Sequence, residues 1–206
     1  MEEFDRKKHW EKIYETKELE ERSWFQATPK ASLDIFLQFD IPTHARIIDV
    51  GGGDSLLVDH LLNMGYKDIT VLDISETAIL KAKTRLGEKA SRVKWIVADA
   101  ATFKPTENYD FWHDRATFHF LTTENEISRY LETAYHHINP KGILLIGTFS
   151  EKGPKICSGI EIKQYSEYSM TSRFKEYFEK IKCFNTDHKT PSGALQNFIF
   201  CCFRKL

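Results

Sequence analysis

The segment Arg46-Ile47-Ile48-Asp49-Val50-Gly51-Gly52-Gly53 constrains the fold more than any other part of the chain. A short β-branched run gives way to glycines, and from Asp54 to Met64 the residues Leu56, Leu57, His60, Leu61 and Met64 recur at helical spacing. The order is strand, glycine turn, helix. Glycine lets the backbone approach a ligand closely, and amides at the helix start can engage its polar groups. The unit recurs in kind: Ile69 to Leu72 as a strand, Ser75 to Leu86 as a helix, Val93 to Val97 and Tyr109 to His113 as strands. Such alternation predicts an α/β fold with a parallel sheet.

The flanks extend this core. Asp5 to Thr16 carries Trp10, Ile13 and Tyr14 at helical offsets, and Ser23-Trp24-Phe25-Gln26 then reads as an aromatic loop before Pro29. Ala31 to Phe39 is a second helix, ended by Ile41-Pro42. Thr123-Glu124-Asn125-Glu126 has the form of a capping box, in which threonine and glutamate satisfy orphan backbone donors, and it opens a helix to about His137. Pro140-Lys141-Gly142 turns the chain into a strand, Ile143 to Phe149. Ser166 caps a helix to about Phe178, and the strands Lys180 to Phe184 and Asn197 to Phe203 flank Thr190-Pro191-Ser192-Gly193, so they pair antiparallel. Residues 1–206 read as one domain, with 1–40 as an N-terminal helical cap or lid.

Composition removes several functional classes. Lys and Arg number 29 against 30 Asp and Glu, so no global field draws the chain to nucleic acid or an anionic membrane. The longest strongly apolar stretch, Gly142 to Gly147, is far short of a membrane span, and the opening Met1-Glu2-Glu3-Phe4-Asp5 lacks a signal-peptide profile. A cytoplasmic protein is expected. The four cysteines, Cys157, Cys183, Cys201 and Cys202, contain no CxxC, so reduced structural thiols are expected, with no zinc site and no metal.

Three features fall at the carboxyl ends of the first three strands, where open α/β sheets bind ligands. The first is the glycine turn with Asp49, Gly51 and Gly53. The second is Asp73, twenty residues after Gly53, in Val71-Leu72-Asp73-Ile74, where a carboxylate can accept both hydroxyls of a ribose. The third is Asp99, followed by Ala100, placed to accept from an exocyclic adenine amine. Together they describe a nucleoside-shaped site. Leu56 stands where the G-x-G-x-x-G dinucleotide fingerprint needs glycine, and none of the eight tyrosines has Lys four positions later, so a nicotinamide dehydrogenase fits poorly.

On these residues, Ile47 to Gly53, Val71 to Ile74 and Trp95-Ile96-Val97-Ala98-Asp99-Ala100, the chain resembles the class I S-adenosylmethionine-dependent methyltransferases. The likeness extends through Tyr109 to Asp114, Pro140-Lys141-Gly142 and the terminal strand pair. It implies a Rossmann-like, doubly wound, mostly parallel seven-stranded sheet with a C-terminal antiparallel pair and helices on both faces. It further implies S-adenosylmethionine as cofactor: Asp49, Gly51 and Gly53 at the methionine part, Asp73 and Ile74 at the ribose, Asp99 and Ala100 at the adenine. Ser55 departs from the third glycine of many members. His9 to Tyr14 and Ser23 to Gln26 look, more loosely, like the cap of the thiopurine and tellurite-resistance methyltransferases. That makes Trp10, Tyr14, Trp24 and Phe25 either a lid over the cofactor, with Trp24 the leading contact, or packing for the N-terminal helices.

After the fourth strand, His113-Asp114-Arg115-Ala116-Thr117-Phe118-His119 gathers polar groups where the methyl group would emerge. His113, Asp114 and His119 are the catalytic candidates, as base or substrate anchor, each with a packed structural role as its alternative. Arg115 either pairs with Asp114 or binds a substrate anion. Cys157-Ser158-Gly159 and His188 lie where substrate loops form. The expected function is methyl transfer to an N, O or S nucleophile of a small molecule, with a protein lysine acceptor or a non-catalytic nucleoside-binding module as alternatives.

Overall fold

The computed structural model describes residues 4–206, so Met1-Glu2-Glu3, the start of the expected cap, lies outside it. Its elements are α1 (Arg6–Thr16), α2 (Lys30–Gln38), β1 (Arg46–Val50), α3 (Leu57–Asn63), β2 (Asp68–Asp73), α4 (Glu76–Leu86), β3 (Val93–Val97), β4 (Tyr109–Arg115), α5 (Glu124–His137), β5 (Ile138–Phe149), β6 (Ile156–Cys157), β7 (Ile160–Glu161), α6 (Glu167–Phe174), β8 (Phe178–Lys189) and β9 (Leu195–Lys205). Seven strands form one sheet in the order β3-β2-β1-β4-β5-β9-β8. The first five are parallel, and β9 and β8 add antiparallel at one edge. The order reverses between β1 and β4, which opens a crevice above their carboxyl ends.

The central strands are apolar almost throughout because both of their faces are covered. Successive residues serve opposite cores: Ile48, Trp112 and Leu144 pack on the side of α5 and α6, while Ile47, Phe111 and Leu145 pack on the side of α2 and α3. Helix starts are fixed locally. Asp5 accepts from the Lys8 amide, Ser75 from the Ala78 amide, and Thr123 and Glu126 complete both halves of the expected capping box. Among the described residues no helix is long and apolar enough to cross a membrane.

Several boundaries differ from the sequence reading. Pro140-Lys141-Gly142 does not precede β5 but lies inside it: Ile138 already pairs with Tyr109, and the register shift before Phe111 absorbs Lys141 at φ 66°. Helix α6 ends at Phe174, so that Phe178 can start β8. Cys157-Ser158-Gly159 is no loop but the tip of the β6–β7 hairpin, with φ 52° at Ser158 and 80° at Gly159, the left-handed pair that two-residue hairpin turns require. The expectation of four reduced cysteines is also corrected. Antiparallel register sets Cys183 opposite Cys201 with Cα atoms 4.2 Å apart, and a disulfide joins them, while Cys157 and Cys202 stay free and buried. A pairing made by strand register leaves no signature in sequence spacing.

Candidate active site

The glycine turn sets the floor of the crevice. Gly51 has φ +67°, and a Cβ there would come within 1.6 Å of Thr117 Oγ1. Gly53 has φ +51°, and its Cβ would sit 2.5 Å from the Tyr14 hydroxyl and 3.0 Å from Asp73 Oδ2. Both glycines are therefore required twice over, by backbone conformation and by space.

Asp73 stands at the end of β2 with its Oδ1 accepting the Ser75 amide at 2.8 Å. Burial, opposed by that amide, pushes its pKa up to about 7, and the nearby carboxylates Asp54, Asp49 and Glu11 add to the rise. A buried carboxylate with one backbone donor, facing a cavity, is suited to a diol that supplies further donors. Asp99, after β3, accepts the Ala101 amide at 2.8 Å and lies 3.2 Å from Arg6 Nη1. The same guanidinium reaches Glu126 at 2.6 Å. Arg6 thus ties α1 to the end of β3 and to α5, a tie with no signal in the sequence.

The N-terminal region forms a roof. Glu11 of α1 accepts from the Ser75 hydroxyl at 2.8 Å and from the Glu76 and Thr77 amides at 2.7 and 3.1 Å, capping α4 from outside. His9 Nε2 lies 3.0 Å from the Ser158 carbonyl on the β6–β7 hairpin. Trp10 meets Trp24 and Phe120 edge to face, with centroids 5.8 and 5.0 Å apart. Arg22 is fully buried between the Asp54 carboxylate and the Lys17 carbonyl, its guanidinium 4.5 Å from the Tyr14 ring centre. This pair pins residues 17–24 to the glycine turn.

Of the expected cofactor residues, Trp24, Gly51, Asp73, Ile74, Asp99 and Ala100 line one cavity beneath this roof. Asp49 borders a second cavity instead, one that opens under Trp24 to Gln26 and Pro29. None of the catalytic candidates lines the main cavity, and His113 borders the second one beside Asp49. His113 spends both ring nitrogens internally, Nδ1 2.7 Å from Asp49 Oδ1 and Nε2 2.8 Å from Ser32 Oγ. Asp114 is a buried knot: Oδ1 accepts the Thr117 and Phe118 amides at 3.1 Å, and Oδ2 accepts the Tyr130 hydroxyl at 2.7 Å. Tyr130 in turn accepts from Trp112 Nε1 at 3.0 Å. Burial lifts the Asp114 pKa to about 6 against these donors. His119 stacks on Phe149, accepts its amide at 3.4 Å, and is held to a pKa of about 3 by burial and Arg115. It is neutral and packed. His188 bonds the Ser23 carbonyl at 2.7 Å and supports the roof.

Sequence reasoning gave no role to Thr117, Phe149 or Phe198, all of which line the main cavity with Arg115 and Cys157. Burial pushes the Cys157 thiol up to about 11. Among the described residues no cluster of ligating side chains could hold a metal ion.

Sheet order, crevice and glycine turn together are those of the class I S-adenosylmethionine-dependent methyltransferase fold, similar to the small TehB- and NodS-type enzymes. Residues 47–142 match the methyltransferase domain family. In solved structures, the N-methyltransferase NodS from Bradyrhizobium japonicum, in complex with S-adenosyl-L-homocysteine, superposes with a TM-score of 0.74 at 14% identity, over 98% of this chain and 99% of that one. TehB from Haemophilus influenzae gives 0.70 at 18% identity, over 88% and 63%. Among curated proteins, the malonyl-[acyl-carrier protein] O-methyltransferase of Bacillus anthracis is 32% identical over 108 residues, 52% of this chain and 38% of that protein. Human N-terminal Xaa-Pro-Lys N-methyltransferase 1 is 28% identical over 102 residues, 48% and 45%. The matched region spans less than half the length of these curated relatives.

Proposed function

We propose that this protein is an S-adenosylmethionine-dependent methyltransferase acting on an N, O or S nucleophile of a small molecule. The observation that carries the reading is the convergence of Gly51, Asp73 and Asp99, from three separate strand ends, on one cavity closed by aromatic side chains. The residues present fit the cofactor: the side-chain-free backbone of Gly51 and the buried acceptor Asp73 both face the cavity. In this reading Asp73 holds the ribose, Asp99 and Ala100 meet the adenine, and Gly51 with Trp24 borders the methionine part. The cofactor supplies an electrophilic methyl group on a sulfonium.

The chain's own contribution is alignment and exclusion of water. Trp10, Trp24, Phe120 and Phe149 give the cavity apolar walls, so a nucleophile entering it is desolvated and held near its target. His113 and Asp114 are committed to internal hydrogen bonds, and His119 is packed on Phe149 away from the cavity with its basicity lowered by burial, so none of the three is the working base in this reading. The acceptor then reacts as a neutral nucleophile or as one that is already ionised. The enclosed roof favours a small acceptor over a protein chain.

The test is a screen with isotopically labelled S-adenosylmethionine against cell extract divided into protein and small-molecule fractions. Label is expected in the small-molecule fraction. Label confined to protein would move the acceptor to a side chain or N-terminus, and absence of S-adenosylhomocysteine binding by calorimetry would remove the methyltransferase reading.

A further inference from the structure

Arg115 ends β4 and lines both cavities, at the boundary between the cofactor's crevice and the space under Trp24 to Pro29. Among the described residues its one hydrogen bond runs from Nη1 to the Trp24 carbonyl at 3.1 Å. Nε and Nη2 are buried and have no partner. The carboxylates nearby are all engaged otherwise: Asp114 turns to Tyr130 on the opposite face of β4, and Asp49 is taken by His113. The other two roof-side arginines behave differently, since Arg6 meets Asp99 and Glu126, and Arg22 meets Asp54. Burial draws the Arg115 pKa down only to about 10, so the group stays cationic at neutral pH.

Asp49 acts on the guanidinium through space, yet among the described residues no carboxylate touches it; a buried guanidinium with two unpaired nitrogens is costly, and Nε with Nη2 is the edge that pairs in a bidentate manner with a carboxylate. The guanidinium also lies 4.8 Å from the centre of the Phe198 ring, which fixes its plane against an apolar wall. The rest of that space is aromatic, with Trp24, Phe120 and Phe149 around it. We infer that Arg115 is the anchor for a carboxylate on the methyl acceptor, and that the acceptor class is small organic acids with a flat apolar body. This rests on the methyltransferase reading above, and it supplies the substrate class which that reading lacks.

The carboxylate of the cofactor's own methionine part offers the same chemistry, so the experiment separates the two sources. Protein saturated with S-adenosylhomocysteine is titrated calorimetrically with benzoate and indole-3-acetate and with their neutral twins, benzamide and indole-3-acetamide. At least one acid is expected to bind about tenfold or more tightly than its amide, the scale of a charge-assisted pair. Arg115→Met is expected to abolish that preference, and Arg115→Lys to retain part of it because a point charge lacks the fork. Melting temperatures establish that both variants are folded, and the lysine variant carries the test if the methionine variant is not. Any change in affinity for S-adenosylhomocysteine in the variants is expected to be matched by methylthioadenosine, because the Trp24 segment that Arg115 holds roofs the cavity for both. Two results overturn the inference. One is the absence of any acid-over-amide preference in the wild type. The other is weakened binding of S-adenosylhomocysteine in the variants with unchanged binding of methylthioadenosine, which lacks a carboxylate; that pattern assigns Arg115 to the cofactor. Failure of the wild type to bind S-adenosylhomocysteine at all would strike the methyltransferase reading itself.

Discussion

The two halves of the crevice are built on different principles. On the side of β1, β2 and β3, the polar groups are short side chains or backbone atoms at strand ends, and their positions follow from the turn each strand must make. Gly51, Asp73 and Asp99 reach one cavity because three parallel strands end at the same level. On the side of β4, β5 and β9, the wall is made of long side chains from distant segments, and each points where packing sends it. His113 and Asp114 are neighbours on β4 yet face opposite cores, toward Ser32 and toward Tyr130. The lesson is that backbone geometry carries a cofactor site across many sequences, whereas an acceptor site is a product of tertiary packing.

If this contrast is right, the largest effect of a single substitution falls on the glycine turn. Gly51→Ala combines a left-handed φ with a collision against Thr117, and it should destabilise the protein by about 2–4 kcal/mol and abolish cofactor binding. Urea denaturation and calorimetry read the two effects, and a stable variant with normal affinity would break the first half of the comparison.

Asp114→Ala comes next. Three donors lose their acceptor in a buried site, so a loss of about 2–4 kcal/mol is expected, with affinity for S-adenosylhomocysteine and turnover per folded molecule near the wild-type values. A stable variant with turnover reduced more than about a hundredfold would restore Asp114 as a general base.

Asp73→Asn divides stability from binding. Loss of a charged acceptor should weaken S-adenosylhomocysteine binding by about 1.5–3 kcal/mol. The ligand-free protein should gain stability in the same variant, and the gain depends on pH. Because the folded pKa is raised from 3.8 to about 7, the native state holds its proton longer than the unfolded chain, and stability falls as pH rises across that window. The asparagine variant escapes this fall, so its advantage should be full above about pH 7 and shrink toward about pH 4. Equal stability at both ends would show that Asp73 is less confined than its surroundings indicate.

The roof gives the smallest effect. Hydrogen exchange across residues 18–28 should slow when S-adenosylhomocysteine binds, and Glu11→Ala, which removes the acceptor of the Glu76 and Thr77 amides while Ser75 still caps α4, should speed exchange in α1 and at those two amides by about the factor of five to ten that one capping contact implies. Identical protection with and without ligand would make the aromatic segment plain core packing.

How much of this was legible in the chain follows the same division. Alternating apolar strands, capping residues at Ser75 and Thr123 and the glycine turn are local signals, and the sheet follows from them with errors of a few residues at element ends. Asp73 and Asp99 were readable because each lies at or just past the carboxyl end of a parallel strand, where open α/β sheets form their crevice. Arg6 was not, since a guanidinium on an exposed-looking helix finds Asp99 and Glu126 only after the chain has folded back 93 and 120 residues. Asp114 stood out in the sequence because it opens a polar cluster at the end of β4, and its bond from Tyr130 of α5, which Trp112 of β4 supports in turn, arises only in the folded chain. The β6–β7 hairpin escaped notice because two-residue strands carry no period to detect.

The Arg6 contact gives ligand binding a thermodynamic character of its own. The Asp99 carboxylate, proposed above to meet the adenine, is also a mooring for α1, so under that proposal nucleoside recognition and helix docking draw on one group. Were Arg6 and the adenine amine to compete for it, apparent affinity would be intrinsic affinity scaled by the population in which α1 stands clear of Asp99. Both partners are partly exposed, and dissolved ions screen such pairs. Added salt would then enlarge the receptive population, and affinity for an uncharged nucleoside is expected to rise with ionic strength, which calorimetry over a salt series reads.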